Sequence, residues 1–260
     1  MLNSSNIRMG KPMTNAVPWS APKAAFRALW KFFIPEWRFG SAQWYEFKSA
    51  KGTIRRRGEH MLDKLDSMKA AGDLWQTADD PFFGGDQATF STFIAHVRDR
   101  VCLEIGSGPY GYLGPAYWIK NRKVIEPLID KYRSYELTNY GRTFWTPDVE
   151  TFATPAENII PKLRGAIDGA IICRNALDHM EDPLGVLNAI SEYAAPGCYL
   201  LFWTDIWHNG GTDIGHRNIT RSIDVMPKII TGLGFEIQKT CTDVRSDDAA
   251  IEYGCVALKK

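Results

Sequence analysis

The run Val101-Cys102-Leu103-Glu104-Ile105-Gly106-Ser107-Gly108-Pro109-Tyr110-Gly111 decides how the chain is read. An apolar strand ends in an acid, and a glycine turn follows at once. Glycine lets the backbone bend tightly and approach a ligand closely. An acid at a strand tip can bind a cation or hydroxyl groups. Together these are the requirements of a nucleotide-like ligand lying across the carboxyl end of an open α/β sheet.

Gly106, Gly108 and Gly111 satisfy G-x-G-x-x-G. That pattern alone serves nicotinamide, flavin and S-adenosylmethionine sites, so the flanking chain must choose. Downstream, strands and helices alternate, which predicts a mostly parallel sheet with helices on both faces. Strands are expected at 100–105, 123–126, 149–153, 169–173 and 199–203. Helices are expected at 113–121 and 127–138, and a third opens with Asp182 as N-cap and Pro183 in the first turn. A loop over 204–220 and a helix at 221–232 precede strands at 235–240 and 251–258. Upstream, 1–20 is rich in Asn, Ser and Pro and is expected to be poorly ordered. Phe26, Leu29, Trp30, Phe33 and Ile34 share one face of a helix that begins near Ala21 and stops at Pro35. A second helix spans roughly 58–71, a loop spans 79–85, and 87–97 is helical. The division is a terminus at 1–20, an aromatic and basic helical extension at 21–87, and a ligand-binding domain at 88–260.

Composition narrows the class. A 45% apolar, 23% charged chain of 260 residues can bury a sizeable core, and a net charge of +1 gives no bulk attraction to nucleic acid. Residues 21–60 carry +6 and 61–260 carry −7, so the front is suited to an anionic partner or to the acidic body itself. Five cysteines (Cys102, Cys173, Cys198, Cys241, Cys255) fall in or beside expected strands with no C-x-x-C pair, which reads as free thiols in a reducing compartment. The polar start has no apolar leader, and no run of about 20 apolar residues could span a bilayer. The expectation is a cytoplasmic protein.

The order of pieces resembles the class I S-adenosylmethionine-dependent methyltransferases over roughly 88–260. The residues that carry the resemblance are Glu104 to Gly111, then Ile125-Glu126-Pro127, then Asp168 through Asp182-Pro183, then Ala195-Pro196-Gly197 before a strand, and Gly234-Phe235 near the C-terminus. A nicotinamide site fits less well, because its glycine turn usually follows a strand with no acid just before it. The resemblance implies a seven-stranded, mostly parallel sheet with helices on both faces and an antiparallel last strand. It implies S-adenosyl-L-methionine as cofactor. Glu104 would face the ammonium end of the methionine moiety, and Gly106, Ser107 and Gly108 would bring backbone amides against the ligand. Glu126 would accept from two ribose hydroxyls. Ala156 and Glu157 match the adenine position, and Cys173, Arg174 and Asn175 would line the site. Pro109 departs from the small residue common there; it stiffens the turn without blocking it.

The acceptor side is read from histidines and aromatics. A hydroxyl acceptor benefits from a general base, usually histidine. His179 follows the expected fourth strand. Asp205-Ile206-Trp207-His208 and Asp213-Ile214-Gly215-His216 follow the fifth. Asp could orient His216 or His208 as base, with Asp205 and His179 as further candidates. The paired units could instead hold a divalent cation, although their spacing matches no defined ligand pattern and no metal is assigned. Five of the nine tryptophans precede residue 100, and aromatic faces stack on sugars. The expected reaction is O-methylation of a sugar or glycan precursor. The alternatives are N- or C-methylation of another small metabolite, or a non-catalytic adaptor. Residues 21–57 are expected to act as a lid, a homo-oligomer interface or a peripheral membrane contact.

Overall fold

The computed structural model describes residues 35–72, 77–208, 218–244 and 250–260, the side chains at 35–42, 45, 208, 243 and 244 excepted. The expected terminus at 1–20, the helix at 21–34, and Asp213 and His216 lie outside the described residues. Residues Ser41–Lys260 form one compact unit.

The elements are α1 (Pro35–Ala71), α2 (Gln87–Val97), β1 (Val101–Ile105), β2 (Asn121–Ile125), α3 (Ile129–Tyr140), β3 (Val149–Phe152), β4 (Ala170–Arg174), α4 (Pro183–Tyr193), β5 (Tyr199–His208), α5 (Val225–Gly232), β6 (Phe235–Val244) and β7 (Ala250–Lys259). One seven-stranded sheet has the order β3-β2-β1-β4-β5-β7-β6. The first five pair in parallel, and β7 runs antiparallel to both β5 and β6. Period-two alternation sends strand residues to opposite faces. Ile171, Cys173, Leu200 and Phe202 join Val186, Leu187 and Ile190 of α4 in one core. Ala170, Ile172 and Leu201 join Phe90, Phe93 and Val97 of α2 in the other. Two helix starts follow local capping rules. Asp86 accepts from Ala88 N and Thr89 N, and Asp182 accepts from Gly185 N with Pro183 in the first turn. No helix among the described residues is long and apolar enough to cross a membrane.

Pro35 opens α1, where a first-turn residue needs no N–H donor. Four expectations change. The helix expected over 58–71 is the second half of α1. Its buried stripe of Ala50, Ile54, Gly58, Leu62 and Leu65 repeats every three or four residues. Gly58 permits close packing, since a Cβ there would lie 2.7 Å from the Tyr140 ring of α3. β5 continues through His208, so Asp205 stands on a strand, beside a bulge between Asp205 and Trp207. The last helix begins at Val225, later than the expected 221.

The fourth change matters most for the site: no helix forms over 113–121. Gly106–Lys120 is an irregular segment held by side chains in place of a helical ladder. Glu104 accepts from Tyr112 N and Leu113 N, both at 2.7 Å. Buried Arg122 donates to Leu113 O at 3.1 Å and Gly114 O at 2.9 Å, and pairs with Asp148. Phe144 and Trp145 pack where side chains at Gly111 and Gly114 would stand; a Cβ on Gly111 would lie 2.4 Å from the Trp145 ring. The Trp145 indole N–H donates to Pro109 O at 3.2 Å and so braces the glycine turn.

Arg122→Ala is expected to cost about 3 kcal/mol, since it strands two buried carbonyls. A urea melt checks this; a midpoint equal to wild type would show that the segment does not depend on the guanidinium.

Candidate active site

The level tips of β1, β2 and β4 build the site. Ile105 is paired with Ile125 on one side and Cys173 on the other. Strand order reverses between β1 and β4, and the crevice at such a reversal is where open α/β sheets bind ligands.

The turn after β1 uses the left-handed backbone that glycine adopts freely. Gly106 has φ +68° and donates its N–H to Ile125 O at 3.0 Å. A Cβ on Gly106 would lie 2.4 Å from the Ala176 methyl, so the turns after β1 and β4 touch there. Gly108 has φ +58°, and a Cβ on it would meet nothing within 4 Å among the described residues. The backbone at Gly108 therefore borders open space. Its N–H donates to Glu126 Oε2 at 3.0 Å, while Leu128 N donates to Glu126 Oε1 at 2.9 Å. Each carboxylate oxygen keeps a second lone pair. Burial holds the Glu126 carboxyl above its usual value against those two donors.

Glu104 is buried directly behind the turn. Desolvation pushes its carboxyl up to about 7, opposed by the Leu113 and Tyr112 N–H groups. Its oxygens serve the protein backbone, so contact with a ligand ammonium would use the lone pairs left over. Ser107 is partly buried, and its hydroxyl donates to Gly108 O at 3.2 Å.

At the tip of β4, Cys173 is fully buried and its thiol is pushed up to about 12, so it packs as an apolar side chain. Arg174 is exposed, with one guanidinium nitrogen 3.5 Å from Asp80. Asn175 is the described non-glycine residue with positive φ, at +50°, and its N–H donates to Trp203 O at 2.6 Å. Strain of this kind clusters at ligand sites. Next comes a pair: His179 Nε2 lies 3.7 Å from Asp178 Oδ2, and fully buried Asp178 accepts from Thr204 of β5 at 3.2 Å. Asp205 is buried one residue further along β5.

Other sequence candidates fall differently. Ala156 is buried in the core. Glu157 accepts from Glu181 N at 2.7 Å and Asp182 N at 3.3 Å, so it anchors the turn before α4. The His208 side chain, like His216, lies outside the described residues. No group of three or more His, Cys, Asp or Glu side chains arranged to hold a metal ion occurs among the described residues. Three further groups join the site through contacts that sequence alone does not display. Asp178 lay inside the quoted motif. Glu46 of α1 interacts electrostatically with Glu126 and Asp178, and Tyr132 of α3 does so with Glu126 and Glu46. Glu46 stands one turn before Ala50 and two before Ile54, on the apolar stripe of α1.

No family model and no curated protein sequence matches the chain. Among solved structures it is similar to the 4+2 cyclase SpnF, with a TM-score of 0.52 and 13% identity over 84% of this chain and 94% of that one. It is also similar to a Burkholderia thailandensis 1,6-didemethyltoxoflavin-N1-methyltransferase with bound S-adenosylhomocysteine. There the TM-score is 0.47 and the identity 14%, over 76% of this chain and 86% of that one. At such identities the likeness concerns architecture. Taken with strand order and the antiparallel β7, the chain has the class I methyltransferase fold.

The buried carboxyls give a pH dependence with a definite sign. Glu104 and Glu46 are raised from 4.5 to about 7, so the fold favours their protonated forms. Stability is then lost as pH rises from about 4.5 to about 7, the interval set by those two values. The lowered acids Asp148 and Glu150 act in the opposite direction only in acid below their usual values, while His96, lowered by burial from 6.5, opposes the two carboxyls within the interval as one group against two. The ligand-free melting temperature is expected to fall across that interval; a rise would contradict it. Glu104→Gln replaces an acceptor with an N–H₂ facing a backbone N–H, and should cost about 1–3 kcal/mol in a denaturant melt.

Proposed function

We propose that this protein is an S-adenosylmethionine-dependent methyltransferase acting on a small polar acceptor. The observation that carries the reading is the joint between Gly108 N and Glu126 Oε2 at the sheet's reversal point. It joins an open-faced glycine turn to an acid that can accept from a vicinal diol. The site is also rich in carboxyls, with Glu46 in electrostatic contact with Glu126 and Asp178, and Glu104 with Glu126, which suits a cationic ligand.

When bound, S-adenosylmethionine supplies an activated methyl group on a positively charged sulfur. The chain's own residues do the rest. In this reading Glu126 holds the ribose hydroxyls. Gly106, Ser107 and Gly108 offer backbone close to the ligand without a side chain in the way. Asn175 and Arg174 flank the methionine end. Asp178 orients the His179 ring, and His179 takes the proton from the acceptor; His208, His216 and Asp205 are the remaining candidates for that step. Alignment of the acceptor with the sulfur–methyl bond provides most of the acceleration. A hydroxyl of a sugar or glycan precursor is the first acceptor class to test, and a metabolite nitrogen or carbon is the second.

Calorimetric titration with S-adenosylmethionine is expected to show one saturable site. Glu126→Ala should weaken it about tenfold or more, the worth of a hydrogen bond to a charged group. Wild type without heat of binding, or a Glu126→Ala variant that binds as wild type does, would refute the reading. Transfer of a labelled methyl group to a panel of sugars and amines identifies the acceptor. His179→Ala should then lower kcat by about 10²–10⁴ if it is the base; a loss below about tenfold would remove it from that role.

A further inference from the structure

We infer that Glu46, carried by α1, is a ligand-binding carboxyl of this cleft that acts with Glu126 and the Tyr132 hydroxyl on the vicinal hydroxyls of the donor's ribose. The inference rests on the reading above and adds α1 to the donor site.

Three observations converge. First, Glu46 lies one turn before Ala50 and two before Ile54, on the stripe that α1 buries. Ala50 and Ile54 pack against Leu128 and Tyr132, and the Phe47 and Tyr132 rings stand 6.1 Å apart. Leu128 is also the residue whose N–H holds Glu126. The helix therefore crosses the tip of β2, directly beside the acid assigned to the ribose.

Second, the partners of Glu46 are of the wrong sign. It is partly buried, its electrostatic neighbours are Glu126 and Asp178, and it forms no hydrogen bond or ion pair with another described residue. Burial and those like charges push its carboxyl up to about 7. A carboxyl in such company gains nothing from its surroundings in the ligand-free protein.

Third, Tyr132 is fully buried and its hydroxyl has no hydrogen-bond partner among the described residues. The charges it feels are those of Glu126 and Glu46. Buried polar groups are almost always satisfied, and an orphan calls for an explanation. One diol answers both vacancies, because each hydroxyl donates one hydrogen bond and accepts others. The pair can donate to Glu126 and Glu46 and accept from Tyr132. The positive sulfur of the donor adds attraction for the same carboxyls. The simpler alternative is that α1 only packs on α3 and Glu46 is tolerated there.

Calorimetry with two probes on the full chain separates these. 5′-Methylthioadenosine carries the ribose but neither the charge nor the amino-acid end; S-adenosylmethionine carries all three. Glu46→Ala is expected to weaken both about tenfold or more, and Tyr132→Phe about threefold or more. Ligand-free Glu46→Gln is expected to melt at or above the wild-type temperature, because it removes a charge crowded by Glu126 and Asp178. A packing role alone would leave both affinities unchanged, which overturns the inference. A loss confined to S-adenosylmethionine would move Glu46 to the methionine end and also overturn it. If Glu46→Ala fails to fold, Glu46→Gln decides, with equal affinity for both probes as the contrary result. Wild type that binds neither probe would defeat the donor reading itself, an outcome distinct from a wild type that binds and a variant that matches it.

Discussion

The carboxylate of Glu126 is the constraint around which the site is arranged. One oxygen holds the Gly108 amide and the other the Leu128 amide. The tip of β2 is thereby tied both to the turn after β1 and to the entry of α3. Parallel register brings the tips level, but register alone would leave the glycine turn free to choose its direction. The acid chooses it. Gly106 completes the arrangement by meeting Ala176 at a distance no side chain would allow. A ligand entering here would meet a backbone already bent to receive it, so little ordering cost remains for binding.

The missing helix after β1 belongs to the same arrangement. Many dinucleotide-like sites set a helix N-terminus against the ligand. Here the chain from Gly106 to Lys120 is irregular, and Glu104, Arg122 and Trp145 supply the hydrogen bonds that a helix would have made internally. Electrostatic help from a helix dipole is thus absent at this turn. The site instead gathers buried carboxyls, two of them raised to about 7, whose ionised forms a bound cation would favour. Such a cleft stabilises a cation better than a phosphate, which favours a sulfonium nucleoside over a dinucleotide.

What the sequence made legible follows from what is local in it. β1, β4 and α4 could be read because alternation, glycine and the Asp182-Pro183 cap act within a few residues. The length of α1 could not, because Pro35 is compatible with either end of a helix and only the distant ring of Tyr140 explains Gly58. The segment at 113–121 reads as helical by its apolar spacing, yet Glu104 and Arg122 override that spacing from outside it. Glu157 shows how a loop acid can gain a second task unseen in sequence: its Oε1 accepts from the amides of Glu181 and Asp182, remote in the chain. Asp178 and Glu46 gain their meaning from contacts between elements remote in the chain, and no periodicity displays those.

In the proposed site the glycine turn and Glu126 act as one ligand-binding unit. Two-dimensional amide NMR during titration with S-adenosylhomocysteine tests it most directly, because the unreactive product reports binding without turnover. Saturable shifts of the Gly106, Gly108 and Leu128 amides with a common dissociation constant are expected. Shifts confined to other regions, or none at saturating ligand, would contradict it.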